Sequence, residues 1–200
     1  MKLPHVRRLS IVSILIGASV SAGNCYSQEN QHQLMIKVDQ KSSGPFAGQR
    51  GSLCLRVYAS GRITLSEWST AAGSTVDKAG KETRSETTVN LEYSFPREDL
   101  YRMSELEEFL TSKAVQKLPA TFARPHRPVD FFETSEIQIT HPSGRSKKIS
   151  VPEYYAASLV ERTKYPSVLL ILMDQLARLE DEVTEKGKPA EPSADCALRE

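Results

Sequence analysis

The feature that most constrains the fold is an apolar residue at every second position in several short stretches. In S-L-C-L-R-V-Y, which starts at Ser52, leucine, leucine and valine point to one side, and cysteine, arginine and tyrosine point to the other. Because successive side chains of a strand point to opposite faces, this pattern is typical of a strand with one buried face. Ala59-Ser60-Gly61 predicts a tight turn, after which R-I-T-L-S-E-W resumes the alternation. Residues 52–69 are therefore predicted to form a β-hairpin.

The same alternation predicts further strands along the chain. The third strand has Val89, Leu91, Tyr93 and Phe95 on one side, the fourth has Ile137 and Ile139, the fifth has Ile149 and Val151, and Leu34, Ile36 and Val38 offer an earlier one. The turn H-P-S-G at 141–144 joins the fourth and fifth strands into a second hairpin. The polar, glycine-containing stretch 70–85 is expected to be a mobile loop.

Two stretches change to the period of a helix, and each follows a proline. Pro suits the first turn of a helix, so Pro96 and Pro166 are predicted to open the two helices. The apolar residues of the first helix are Leu100, Met103, Leu106 and Leu110, and those of the second are Leu169, Leu172, Leu176, Leu179 and Val183, widened by Val168, Ile171 and Met173. Each helix therefore has one apolar face that needs a sheet to cover.

The order of these elements predicts an α+β fold. Strands that alternate, rather than being apolar throughout, indicate a sheet with only one covered face. We therefore expect a two-layer sandwich, in which a mainly antiparallel sheet of about five strands carries two helices on one face. This single domain is expected to span residues 34–184.

The first 22 residues have the pattern of a secretory signal peptide, with a basic start, an apolar stretch and small residues before a cleavage site. Cleavage is expected after Ala22, with Ser27 as a second possible site, and a lipid anchor on Cys25 is the weaker alternative. Residues 23–33 are expected to be a flexible segment. Residues 185–200 are expected to be a disordered tail unless Cys196 is tied down, because they contain almost no large apolar side chain. The protein is thus expected to be exported, either to the periplasm or outside the cell.

Charge argues against nucleic acid as a partner. The full chain has a net charge of +1, and removal of the signal peptide takes away Lys2, Arg7 and Arg8 and no acid, which leaves −2. A nucleic-acid-binding protein normally has a strongly basic face, because neutralising phosphates supplies most of its affinity. No apolar stretch reaches the roughly 20 residues needed to cross a bilayer, so we expect no integral membrane segment after processing.

Several stretches together resemble a loose group of exported bacterial domains of unknown function. They are L-C-L-R-V-Y-A-S-G-R-I-T-L, a helix ending in A-V-Q-K-L-P, the hairpin I-Q-I-T-H-P-S-G-R-S-K-K-I-S-V and the closing helix Y-P-S-V-L-L-I-L-M-D-Q-L. The likeness covers roughly residues 52–183 and rests on the order strand, strand, strand, helix, strand, strand, helix. Such domains often have a second cysteine near the first strand, whereas this chain has only Cys54 there. The resemblance implies no activity.

An exported protein can form disulfides. Cys54 lies on the strand face away from the apolar residues, where a chain terminus can reach it. We expect it to pair with either Cys25 or Cys196. The alternative is a free, buried Cys54 that acts as a small apolar group.

His126 is the residue that most resembles a catalytic group, since it lies in F-A-R-P-H-R-P-V-D-F-F with Asp130 nearby. Pro125 and Pro128 hold the backbone extended, however, so this stretch is better interpreted as a stiff connector between a helix and a strand. No hydrolase, zinc-protease or phosphate-binding motif occurs. We therefore predict no catalytic residue, no metal site and no cofactor.

The polar face of the sheet is the best candidate for binding. It is expected to be uncovered and to carry Arg56, Tyr58, Thr64, Ser66, Trp68, Asn90, Glu92, Gln138 and Thr140. Arg56, Tyr58 and Trp68 are chosen as the binding residues because these residue types are enriched where protein surfaces meet. The leading hypothesis is a non-catalytic binding or assembly module whose partner is an envelope or extracellular protein. A small exported hydrolase, or an inhibitor of one, is the alternative. Trp68 lying beneath the 70–85 loop or beneath a terminal segment would weaken the leading hypothesis.

Overall fold

The computed structural model describes residues 33–43, 50–76, 82–123, 132–154, 159–193 and 196. The predicted signal peptide, all but the last residue of the 23–33 segment, Cys25 and the connector around His126 lie outside these ranges. Expectations about those parts of the chain remain predictions.

The described residues form strands, helices and one short 3₁₀ turn. The strands are β1 (Leu34–Ser43), β2 (Arg50–Tyr58), β3 (Arg62–Val76), β4 (Glu82–Ser94), β5 (Phe132–Thr140), β6 (Ser146–Pro152) and β7 (Lys188–Pro189). The helices are α1 (Tyr101–Thr111), α2 (Lys113–Gln116), α3 (Leu159–Arg162) and α4 (Ser167–Lys186), and the 3₁₀ turn is Arg97–Asp99.

In the part of the chain that the structure describes, all seven strands belong to one sheet in the order β6-β5-β1-β2-β3-β4-β7. Every neighbouring pair is antiparallel. The fold is therefore α+β with an open antiparallel sheet, as the alternating strands predict. The expected two layers and about five strands match it only roughly, because Leu34–Ser43 forms a full strand in the middle of the sheet and the C-terminal segment adds β7 at an edge.

The region expected to be a mobile loop is mostly strand. β3 continues to Val76 and β4 begins at Glu82, with the pairs Ala71↔Ser85 and Thr75↔Thr83 between them. The expectation of a loop over 70–85 is therefore wrong. Thr70, Thr75, Val76 and Thr83 favour strands, so the polar composition alone was a poor guide to local structure.

The predicted turn at Ala59-Ser60-Gly61 joins β2 to β3. The Gly61 N–H donates to the carbonyl oxygen of Tyr58 at 2.9 Å, and Gly61 has φ +83°. A β-carbon at this position would lie 2.6 Å from Leu100 Cδ2, so glycine is needed both for the backbone conformation and for the approach of the next segment.

One face of the sheet and the long helices share a single hydrophobic core. The predicted inward residues Leu55, Val57, Ile63 and Leu65 pair across β2 and β3, and all four are buried. The core extends over the sheet and includes Ile36, Val38, Ile137, Ile139, Ile149 and Val151.

The helices supply the other side of this core. α1 buries Met103, Leu106 and Leu110, whereas α4 buries six apolar residues, Leu169, Leu172, Met173, Leu176, Leu179 and Val183. Pro166 immediately precedes α4 as expected, but Pro96 precedes the 3₁₀ turn and α1 starts only at Tyr101. Ile171, which was expected to widen the apolar face of α4, is 49% exposed. No helix among the described residues combines the length and apolar character needed to cross a membrane.

Candidate binding surface

The second face of the sheet, here called the polar face, carries the residues that alternate with the core residues. Strand register aligns them in rows across β2, β3 and β4. The rows are Arg56, Thr64 and Glu92; then Cys54, Ser66 and Asn90; then Ser52, Trp68 and Thr88.

The structure brings Arg56 and Tyr58 together but not Trp68. Arg56 Nη1 donates to the hydroxyl oxygen of Tyr58 at 3.4 Å. The guanidinium of Arg62 lies over the Tyr58 ring, 4.2 Å from the ring centre. Trp68 lies four residues from Thr64, the partner of Arg56, which corresponds to roughly 13 Å along the strand.

Arg56 and Tyr58 are not on an uncovered surface, which corrects the expectation for this part of the polar face. Arg56 is 4% exposed and Tyr58 is 9% exposed. Ser66 in the neighbouring row is also buried. A segment of the C-terminus reaches Arg56 and Cys54 across the polar face, and Arg62 lies on the Tyr58 ring.

We call this segment, residues 188–193 with Cys196, the C-terminal strap. It begins where α4 ends at Gly187, whose N–H donates to the carbonyl oxygen of Val183 at 2.8 Å. A β-carbon on Gly187 would collide with that same carbonyl oxygen, so glycine allows the chain to leave the helix tightly.

The strap then crosses from the edge of the sheet towards its middle. Lys188 and Pro189 form β7 by pairing with Glu92 and Leu91 of β4. Further along, the Ala190 N–H donates to the carbonyl oxygen of Asn90 at 3.0 Å. Arg56 Nη1 donates to the hydroxyl oxygen of Ser193. The strap thus passes over β4 and β3 and reaches β2.

A disulfide between Cys54 and Cys196 fixes the far end of the strap, with the two Cα atoms 5.9 Å apart. Cys196 is one of the two partners that the sequence left open for Cys54, and Cys25 lies outside the described residues. Residues 185–200 were expected to be a disordered tail unless Cys196 was tied down. Instead, α4 continues to Lys186, Lys188–Pro189 forms β7 and Cys196 is bonded to Cys54.

Trp68 lies beside the strap and is partly exposed. Its indole N–H is buried and has no hydrogen-bond partner in the described part of the protein. The same is true of Thr64 Oγ1 and Asn90 Oδ1 in the rows that the strap crosses. Residues 70–76 and 82–85 do not fold back over Trp68 as a loop, because their backbone continues β3 and β4. This part of the polar face therefore places a partly exposed aromatic side chain beside buried polar atoms that have no hydrogen-bond partner among the described residues.

Two buried carboxylates, Glu133 and Glu153, were not identified from the sequence. Each is 2% exposed, and the Glu153 N–H donates to the carbonyl oxygen of Glu133 at 2.8 Å. Burial raises the pKa of nearby Tyr165, and the negative charges of Glu153 and Glu133 add to the increase. Glu133 alternates in phase with Ile137 on β5, so the strand period was a signal that could have revealed its burial.

A second charged cluster joins α1 to the end of α4 next to the strap. Both Nη atoms of Arg102 donate to the Glu182 carboxylate, at 3.1 and 3.0 Å, and Lys186 Nζ donates to the same carboxylate at 2.8 Å. Burial alone would raise the pKa of Glu182, but the hydrogen bonds from Arg102 and Lys186 outweigh it and hold the pKa below its usual value. This cluster fixes the helix end from which the strap departs.

His126 and Asp130 lie outside the described residues, so the structure does not place them. Within the ranges that are described, no group of three or more His, Cys, Asp and Glu side chains is arranged to hold a metal ion.

Comparison with known proteins gives no match to this chain among protein-family models, curated proteins or solved structures. The resemblance to a group of exported bacterial domains accordingly stays a prediction.

Proposed function

We propose that this protein is an exported, non-catalytic binding or assembly module that works in the cell envelope or outside the cell. The observation that carries the proposal is the region around Trp68. Trp68 is partly exposed, and its buried indole N–H has no acceptor among the residues that the structure describes, although Trp N–H groups usually find a partner when they are buried. A partner that covers the exposed part of the Trp68 side chain would add apolar contact.

The disulfide supports export. Disulfides form and persist in oxidising compartments and are rare in the cytosol, and Cys54–Cys196 fits the pattern of a signal peptide at residues 1–22. The partner proposed is an envelope or extracellular protein, because the polar face combines an aromatic side chain with uncharged polar groups and charges of both signs rather than a strongly basic surface.

Substitution of the single tryptophan tests the proposal. The purified, oxidised protein is immobilised and exposed to an envelope extract, and captured proteins are identified by mass spectrometry. Trp68→Ala is expected to lose specific partners by at least about tenfold, since aromatic side chains commonly dominate interface energy. Tyr101→Ala is the matched control, because Tyr101 is a 59% exposed aromatic residue on α1, away from the polar face.

Fluorescence gives an independent check on the same surface. Trp68 is the only tryptophan, so its emission reports this site alone. Iodide is expected to quench it in the folded protein, and a bound partner is expected to protect it. Equal capture by Trp68→Ala and the parent protein would eliminate Trp68 as the binding residue.

The alternative, a small exported hydrolase, has one observation in its favour. Glu133 and Glu153 are both buried, and Glu153 has φ 56°, a backbone conformation that is costly outside glycine and often occurs at functional sites. In this alternative the two carboxylates would act with His126, which precedes Glu133 in the chain. Turnover of an ester, peptide or glycoside substrate that disappears in Glu153→Gln would favour the hydrolase over the binding module.

A further inference from the structure

Within its described residues 188–193, the strap has few non-covalent contacts with the sheet it covers. Its backbone pairs with β4 over two residues and through the Ala190 N–H, and Ser193 accepts one hydrogen bond from Arg56. The side chains of Lys188, Pro189, Glu191 and Pro192 are exposed. The segment therefore buries little apolar surface to offset the conformational entropy it loses on being ordered.

The groups beneath the strap are also poorly matched to it. Thr64 Oγ1 and Asn90 Oδ1 are buried without a hydrogen-bond partner among the residues that the structure describes. Burying a polar atom without a partner opposes folding. The strap thus covers polar groups that water would satisfy better once the cover is removed.

These two facts bear on the disulfide itself. A disulfide is hard to reduce when the folded protein holds its two thiols together after reduction, and easy to reduce when it does not. Here one thiol would be on a central strand and the other on a segment with few contacts. Because the strap is weakly held, we expect the disulfide to be reducible. By thermodynamic linkage, we expect its reduction to release the strap.

We propose that the Cys54–Cys196 disulfide is a reducible latch that undergoes thiol–disulfide exchange with a dithiol reductant, and that its reduction uncovers the Arg56–Tyr58 part of the polar face. A thiolate of the reductant attacks the sulfur of Cys196 and forms a mixed disulfide, while Cys54 leaves as a thiolate and takes up a proton. The second thiol of the reductant then displaces Cys196. Two electrons and two protons reach the protein, and the reductant becomes a disulfide.

Exposure and charge favour this direction of attack. Cys196 is partly exposed, whereas Cys54 is 2% exposed, so the incoming thiolate reaches Cys196 more easily. Arg56 lies two residues from Cys54 on the same face of β2. Its positive charge opposes the cost of forming a buried thiolate when Cys54 leaves.

The release of the strap is inferred from these contacts alone. Only the effect of that release on partner binding rests on the proposed function. With the strap displaced, Arg56 and Tyr58 join Trp68 on one open surface. We therefore expect the reduced protein to capture envelope partners more strongly than the oxidised protein does.

Hydrogen exchange on the full chain tests the latch. The oxidised protein, the protein treated with dithiothreitol, and the double variant Cys54→Ser/Cys196→Ser are compared by mass spectrometry. Reduction is expected to be complete under native conditions. Exchange over residues 187–196 is expected to rise at least about tenfold, whereas β2 residues Leu55 and Val57 stay protected. Circular dichroism is expected to be unchanged.

Two results would overturn the latch. One is a disulfide that dithiothreitol reduces only when the protein is unfolded by denaturant. The other is a strap that stays protected from exchange after reduction. If the double variant fails to fold, the reduced parent protein answers the same question, because its sequence is unchanged.

The effect on binding is tested separately with the same envelope extract. Capture is expected to rise at least about threefold on reduction, and Arg56→Gln in the reduced protein is expected to remove the rise. A released strap without any rise would refute the effect on binding. Loss of capture in oxidised Trp68→Ala concerns only the proposed function, so the two failures can be told apart.

Discussion

The two faces of the sheet are covered in different ways. On one face, α1 and α4 pack a continuous set of buried apolar side chains against Leu55, Val57, Ile63 and their neighbours. On the other face, a short segment with mostly exposed side chains crosses a polar surface and is fixed by one disulfide. The first cover is stabilised by the burial of apolar area, and the second depends mainly on a covalent bond.

The two covers therefore differ in how their removal affects the stability of the domain. Removing part of the helix cover exposes apolar surface and weakens the whole domain. Removing the strap is expected to expose Arg56, which water can solvate, so we expect the domain to remain folded without it. A binding surface that is uncovered during function costs less stability under the strap than it would under the helices.

The largest effect is expected from Leu172→Ala, which cuts into the helix cover. Leu172 is fully buried on α4. The truncation should lower the free energy of unfolding by about 4 kcal/mol, through lost apolar burial and the cavity left behind. Urea denaturation followed by circular dichroism measures it. Ile171→Ala, one residue away but 49% exposed, is the control and should change the free energy of unfolding by less than about 0.5 kcal/mol.

A smaller loss is expected from Cys196→Ser, which frees the strap. The bond closes a separation of 142 residues, for which loop entropy alone gives about 5 kcal/mol. Because a freed strap regains entropy in the folded state as well, we expect urea denaturation to show a loss of only about 2–3 kcal/mol. A loss near the full loop value would mean that the strap is well held by its own contacts, and the two covers would then be alike.

The helix cover could be predicted from the sequence because its signal is local. Leu55 and Val57 alternate within one strand, and Leu169, Leu172 and Leu176 repeat within one helix, so side-chain period identifies the buried face without knowledge of the fold. The cysteine chemistry also narrowed the partner of Cys54 to two candidates.

The strap could not be predicted in the same way. Its residues have no periodic apolar pattern, and its position depends on where α4 ends relative to β4, which is a property of the assembled sheet. Arg56 and Tyr58 were accordingly expected to be exposed. The alternation places a residue on a face, but it does not show whether a distant segment crosses that face.

A further prediction tests the attachment of the helix from which the strap departs. Glu182→Gln keeps the shape of the side chain but removes the charge that Arg102 and Lys186 contact. The pKa of Glu182 is lowered in the folded protein, so its carboxylate stabilises the fold at neutral pH and this contribution is lost as the pH falls through that pKa. The variant should therefore lose about 1–2 kcal/mol at pH 7.

The pH dependence distinguishes this interaction from a packing effect. The difference between parent and Glu182→Gln in urea denaturation should shrink at pH values below the usual carboxyl range, about pH 4. A difference that is independent of pH would show that the charge is not the cause. Asp174→Asn, which breaks the exposed pair between Asp174 and Arg178, is the control and should cost at most about 0.5 kcal/mol at any pH.

The smallest effect is expected at the margin of the helix cover, where α4 presents a carboxylate instead of an apolar group. Burial raises the pKa of Glu180, and the neighbouring charges of Asp181 and Glu67 raise it further. A raised carboxyl pKa means that ionised Glu180 opposes folding at neutral pH and that this penalty disappears as the pH falls through the raised pKa. Glu180→Gln should therefore raise the melting temperature at pH 7 by about 1–2 °C and leave it unchanged at pH 4. Glu185→Gln, an exposed substitution on the same helix, is the control. If Glu180→Gln were still more stable than the parent protein at pH 4, the gain would have to come from side-chain packing. Position 180 would then be part of the apolar surface that α4 packs against the sheet.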